Sequence, residues 1–184
     1  MGWLWLVVKP VPVLCLVWWV LGAPKSTYRN RLAAGLALSL AGDVLIEWSF
    51  VAGLAAFLLA HIAYTAAFLA DTKRPHLLRA VPIAAYGAAM TAFLWGGLGE
   101  MRPAVMAYVI AICSMVWRAA ARVGQSGVPR PGEWAALAGA MLFALSDTLI
   151  AFDRFHNPSP HAQIPIILLY WAGQAGIAAS ARAE

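Results

Sequence analysis

Charge is what this sequence has least of. Asp, Glu, Lys and Arg together make up 11% of the 184 residues, against 62% hydrophobic, and the mean hydropathy is +0.74. A water-soluble domain of ordinary composition is excluded. Cysteine is limited to Cys15 and Cys113, each inside an apolar run and neither in a CxxC pair, so neither a disulfide framework nor a thiolate metal site is expected. There is no GxSxG, no GxxxxGK[ST] and no HExxH, which sets aside nucleophile-elbow, phosphate-loop and zinc-protease chemistry. The net charge of +5 belongs to basic residues scattered between apolar runs. They form no basic segment, so they point to topology and lipid headgroups and not to nucleic acid. The opening MGWLWLVVKP has no early positive charge and no small-residue cleavage site, and is expected to be a retained first span. Leu6 stands where a myristoylation motif requires Ser or Thr.

What the chain does have is long apolar runs. A spanning helix needs ~20 mostly apolar residues. Seven segments meet that, near 3–22, 31–49, 51–70, 79–98, 103–122, 133–152 and 164–182. Turn chemistry separates them: Gly22-Ala23-Pro24, Pro75, Gly96-Gly97 with Gly99, the stretch Gly124 to Gly132, and Asn157-Pro158-Ser159-Pro160. The expectation is an all-α, polytopic transmembrane helix bundle of about seven spans, one domain over 1–184, in a bacterial cytoplasmic membrane. Loops after spans one, three and five hold nine Lys and Arg, and Arg182 makes ten; the other side has Arg102 and Arg154. That bias puts the N-terminus outside and the C-terminus in the cytoplasm. Most of the nine tryptophans fall near span ends, as an interfacial belt requires.

Within these runs lie two related stretches. GLALSLAGDVLI (35–46) and GAMLFALSDTLI (139–150) share five of twelve positions, including Asp43 and Asp147. A carboxylate inside an apolar helix costs ~2.5–3.5 kcal/mol at the bilayer centre, so two at matching places need a reason. Counting ~1.5 Å per residue from expected span ends puts both aspartates roughly 7 Å below the outer boundary, with Lys9 and Tyr170 roughly 9 Å down from the same face. His61 comes out nearer mid-membrane, and Glu47 near the surface. Gly35, Ser39, Gly42, Asp43 and Glu47 follow i, i+4, i+7, i+8, i+12, a small and polar stripe that faces protein and not lipid. The repeat is parallel, an arrangement that often places a functional site between its halves.

Each candidate also has a purely structural reading. Asp43 and Lys9 suit an interhelical ion pair as well as a site. Asp147, beside Ser146, has no basic residue within a turn on its own helix; an uncompensated carboxyl at that depth favours the protonated form, which a general acid must be. It can equally serve as an interhelical hydrogen-bond donor. His61, with Tyr64 and Thr65 at i+3 and i+4, suits packing as well as function, and no second intramembrane histidine lies near enough for a metal site. Tyr170 and Gln174, one turn apart, suit a substrate or each other. Intramembrane Asp, His and Lys also mark ion pathways, so a small proton-coupled transporter is the alternative function. The fourth and fifth spans offer few polar side chains beyond Tyr86, Thr91 and Ser114, which argues for an enzyme whose polar layer lies toward one face.

KP in the first span, GDVLI closing the second, HIAYTAAF in the third, FALSDTLIAFDRF across the sixth and YWAGQAGIA in the seventh occur in order from Lys9 to Ile177. In this the sequence resembles the lysoplasmalogenase family of membrane proteins, also called YhhN-like. Members commonly have eight spans, and the match begins at the KP-bearing helix, so seven of them are expected here. The resemblance implies hydrolysis of the vinyl ether bond of lysoplasmalogens, with a lysophospholipid as substrate and no metal or redox cofactor. Two carboxyls divide the work in glycosidases, one protonating and one stabilising the cation. By that analogy Asp147 is the acid and Asp43, held ionised by Lys9, the base, with the reverse assignment open. Lys9 and Arg154 are then candidates for the lipid phosphate, with Glu47, His61, Tyr64, Ser146, Tyr170 and Gln174 as supporting residues.

Overall fold

The computed structural model describes residues 8–72 and 74–182, and its regular structure there is wholly helical. The helices are α1 (Val11–Leu21), α2 (Thr27–Leu45), α3 (Phe50–Asp71), α4 (Leu77–Leu94), α5 (Arg102–Arg122), α6 (Arg130–Phe155) and α7 (Gln163–Ser180), with a 3-10 turn at Gly99–Met101. Each falls on one of the seven apolar runs, and α3 to α6 are each long and apolar enough to cross a membrane. The chain is an all-α membrane bundle. The expected start of the first span, with Trp3 and Trp5, and the loop residue Lys73 lie outside the described residues.

Helix ends follow local chemistry and move some boundaries. Ser26 caps α2 by accepting the Arg29 backbone N–H at 3.0 Å, and Ser49 caps α3 through Ala52 at 3.3 Å. With both serines committed, α2 occupies 27–45 in place of the expected 31–49. Helix α6 runs 130–155 in place of 133–152. Asp43 therefore sits ~3 Å from the end of its helix and Asp147 ~12 Å from the end of its own, in place of the roughly 7 Å counted for each from the expected span ends. Lys9 also differs from expectation. Lys9 and Pro10 form a turn ahead of α1, because Pro10 lacks an N–H and Pro12 follows at the first helical turn.

The tightest packing joins α2 to α3 and α6 to α7, the pairs that contain the two related stretches. Gly139 and Gly173 allow the second: a Cβ on Gly139 would fall 2.5 Å from the Ile177 nitrogen, and one on Gly173 2.7 Å from that of Phe143. The stripe on α2 faces protein as expected, with Gly35 against the Tyr64 ring and Gly42 against Phe57 of α3, while Asp43 meets Lys9 and Tyr170. Helix α4 leans on α5, meets α6 only sparsely and is largely exposed.

At the end carrying the loops after α1, α3 and α5, basic side chains do more than set topology. Arg182 donates to the Trp19 carbonyl at 2.9 Å, Arg79 to those of Ala120 and Val123 at 2.6 and 2.8 Å, and Arg118 to Thr72. These carbonyls lie in or just past the last turns of α1, α5 and α3, which carry partial negative charge; those of Trp19 and Ala120 also accept the backbone N–H of Gly22 and Val123, each at 3.2 Å. Arg118 and Arg122 are buried, and Arg122 bonds Tyr28 at 2.6 Å.

Candidate active site

The polar side chains gather in two clusters. In the first, Lys9 Nζ lies 3.9 Å from Asp43 Oδ1 and 3.7 Å from Glu47 Oε1. Tyr170 donates its hydroxyl to Asp43 Oδ2 at 2.7 Å. The Lys9–Pro10 turn exposes the Lys9 carbonyl, which accepts the Trp171 indole N–H at 3.2 Å. Trp171 thus holds the site's backbone and is not simply part of the interfacial belt. Beside this cluster, buried Tyr64 donates to Gln174 Oε1 at 2.6 Å and lies 3.3 Å from Ser39 Oγ.

The second cluster surrounds Asp147. Tyr108 of α5 donates to Asp147 Oδ2 at 2.6 Å, and His61 Nε2 of α3 lies 3.6 Å from the same oxygen. Three helices therefore meet at one carboxyl. His61 is fully buried, edge-on to the Tyr108 ring at 5.0 Å and against Phe143 at 4.8 Å, and neither ring nitrogen makes a hydrogen bond among the described residues. Along α6 Asp147 has no basic neighbour within a turn; the imidazole that meets it comes from α3.

Asp147 alone of the two aspartates lines a cavity of about 630 Å³ bounded by α3, α4, α5 and α6. Apart from Asp147, its polar wall residues are Tyr86, Thr91, Tyr108, Cys113 and Thr148; the rest are apolar, among them Phe50, Phe57, Leu54 and Ile112. Asp43 stands behind that wall. Phe57 packs edge-on to Tyr170 at 5.8 Å, and Tyr170 carries the bond to Asp43. Phe143 links the clusters, touching His61 and, at 5.3 Å, Tyr170.

Two sequence candidates have other partners. Ser146 donates to the Ile166 carbonyl at 2.8 Å and ties α6 to α7, away from the Asp147 carboxyl beside it. Arg154 lies over the Phe50 ring at 4.7 Å, and Phe50 lines the cavity where α3 begins and α6 ends. One tyrosine in an apolar helix carries no periodic signal, so spacing does not mark Tyr108; the available clue is a phenol about two turns inside one of the least polar pair of spans. Among the described residues, no three His, Cys, Asp or Glu side chains are grouped as a metal site requires.

Fold and site together define a polytopic helical membrane protein with a hydrogen-bonded carboxyl on the wall of an apolar cavity. The chain belongs to the YhhN family, whose family model matches residues 4–181. It is 37% identical to human lysoplasmalogenase TMEM86B, over 98% of this chain and 76% of that protein. To human lysoplasmalogenase TMEM86A it is 32% identical over 98% of this chain and 79% of the relative. The lysoplasmalogenase of Mycobacterium bovis is 32% identical over 82% of this chain and 60% of its own length. No solved structure matches the chain.

Proposed function

We propose that this protein is a membrane-embedded hydrolase that cleaves the vinyl ether bond of lysoplasmalogens, releasing a fatty aldehyde and a glycerophosphoethanolamine or glycerophosphocholine. The observation that carries the reading is Asp147, anchored through Oδ2 by Tyr108 and set in the wall of an otherwise apolar cavity. The names of the relatives supply the substrate class.

The chemistry needs one well-placed proton. Protonation of the vinyl carbon β to oxygen gives an oxocarbenium ion; water adds, and the hemiacetal collapses to aldehyde and alcohol. With Oδ2 accepting from Tyr108, Oδ1 is the oxygen left to carry the proton. After transfer, the Tyr108 hydroxyl stays on the new carboxylate, and that carboxylate takes a proton from the attacking water. Asp43, paired with Lys9, supports the cation electrostatically from behind Phe57 and Tyr170. Arg154 at the mouth receives the lipid phosphate.

Aldehyde release from a lysoplasmalogen by the protein in nanodiscs tests the scheme. General acid catalysis contributes roughly 10²–10⁴-fold, so Asp147→Asn loses that much turnover while Asp43→Asn loses less. Wild-type turnover by folded Asp147→Asn sinks the scheme.

A further inference from the structure

We propose that the substrate's single hydrocarbon chain occupies the cavity and enters it sideways from the bilayer, between α4 and α6, through an opening framed by Pro82, Tyr86, Met141 and Leu145. The proposal rests on the hydrolase reading for the position of the scissile bond, but the placement of the chain stands on its own observations.

All four framing residues line the cavity. Yet Tyr86 is 47%, Met141 57% and Leu145 45% exposed, and Pro82 is exposed as well. Residues that line an interior space and also face outward mark an open wall. The helices on either side meet only sparsely, whereas α4 is packed on α5 and α5 on α6. Across the seam runs one side-chain hydrogen bond, from the Tyr86 hydroxyl to Thr148 Oγ1 at 3.0 Å, and Thr148 adjoins Asp147 in sequence.

Size and polarity fit one aliphatic chain. A volume of about 630 Å³ falls within the ~300–1,000 Å³ of ligand pockets. From Asp147 to Met141 is ~9 Å along α6, less than the ~15 Å a chain spans in one leaflet of a ~30 Å hydrocarbon core. The chain end therefore passes out through the opening into lipid. Its first carbons lie at Asp147, and the headgroup points toward Phe155 and Arg154.

A second apolar groove of about 820 Å³ lies along the outer face of α4 and α5, lined by Ala84, Ala88, Ile110 and Trp117 among others, with no charged residue. The contact of Gly87 with Cys113, whose sulfur would lie 2.7 Å from a Cβ there, stands between the two spaces. That groove presents no acid to a bound lipid.

The test uses an ester-linked lysophosphatidylcholine with a photoreactive diazirine in mid-chain, added to the full chain in nanodiscs. It contains no vinyl ether, so it reports occupancy without turnover. Adducts on the segments holding Tyr86, Met141 and Leu145, suppressed by excess unlabelled lysophosphatidylcholine, are expected. Adducts confined to Ile110 and Trp117, or uncompeted labelling, overturn the proposal. Leu145→Trp and Met141→Trp, at exposed positions, should each raise KM for a long-chain lysoplasmalogen roughly tenfold with kcat retained. Ile110→Trp, on the opposite groove, should leave both constants alone. Unchanged KM in both plugging variants also overturns it. The expected adducts without any aldehyde release would defeat the hydrolase reading and leave the chain site standing.

Discussion

The Tyr108 hydroxyl and Asp147 Oδ2 lie 2.6 Å apart, joined across α5 and α6 at the cavity wall. A hydrogen bond to a charged group is worth ~1.5–3 kcal/mol, which converts to roughly 10- to 150-fold in rate. Tyr108→Phe keeps the ring against His61 and removes only that bond. Turnover should fall by this factor with KM little changed, measured by aldehyde release.

Lys9 is the cation that Asp43 and Glu47 share. Asp43 is fully buried but Lys9 is 19% and Glu47 32% exposed, so removing the cation costs less than the ~3–5 kcal/mol of a fully buried pair. Lys9→Met should therefore lower the thermal midpoint in detergent. Lys9→Met combined with Asp43→Asn should recover part of that loss, which a double-mutant cycle reads directly.

Ser146 sits beside Asp147 in sequence but bonds the Ile166 carbonyl. Ser146→Ala should leave kcat and KM at wild-type values and cost ~0.5–1.5 kcal/mol of stability. A collapse of kcat in folded protein would return Ser146 to the reaction.

Gly139 has backbone atoms of α7 within 2.5 and 2.6 Å of where a Cβ would be. Main chain cannot swing aside as a side chain does. Gly139→Val should push α6 from α7 and cost at least the ~1–3 kcal/mol of an overpacked core, seen as early thermal aggregation. Gly96, whose added Cβ would meet nothing within 4 Å, is the control position.

Helix count and the small stripe on α2 were legible because each is a local or periodic property of one run, and the Lys9–Asp43 pair because two adjoining runs carry opposite charges near the same end. The pairing of His61 with Asp147 was not. Depth counted from span ends inherits every error in those ends, and α6 extends to Phe155, past the expected 152. Counted from 152, Asp147 and His61 fall at different depths, whereas the two side chains lie 3.6 Å apart. Tyr108 and Trp171 escaped for a different reason: their partners are a carboxyl on another helix and a carbonyl freed by a proline turn. Neither partnership leaves a mark in the spacing of their own segments.

Helix α4 has only 11% of its apolar window buried in the protein. Hydrocarbon solvation keeps it in the membrane, and its hold on the bundle is chiefly its packing against α5. Substitutions there will be judged by the bilayer: a polar replacement on its outer face is resisted at membrane integration, by the ~2.5–3.5 kcal/mol that insertion exacts for a charge, while aliphatic exchanges pass almost unnoticed. The fourth helix should therefore tolerate wide variation within one simple chemical alphabet, whereas the buried face of α6, with Gly139 against α7 and Phe143 between the two clusters, should tolerate almost none.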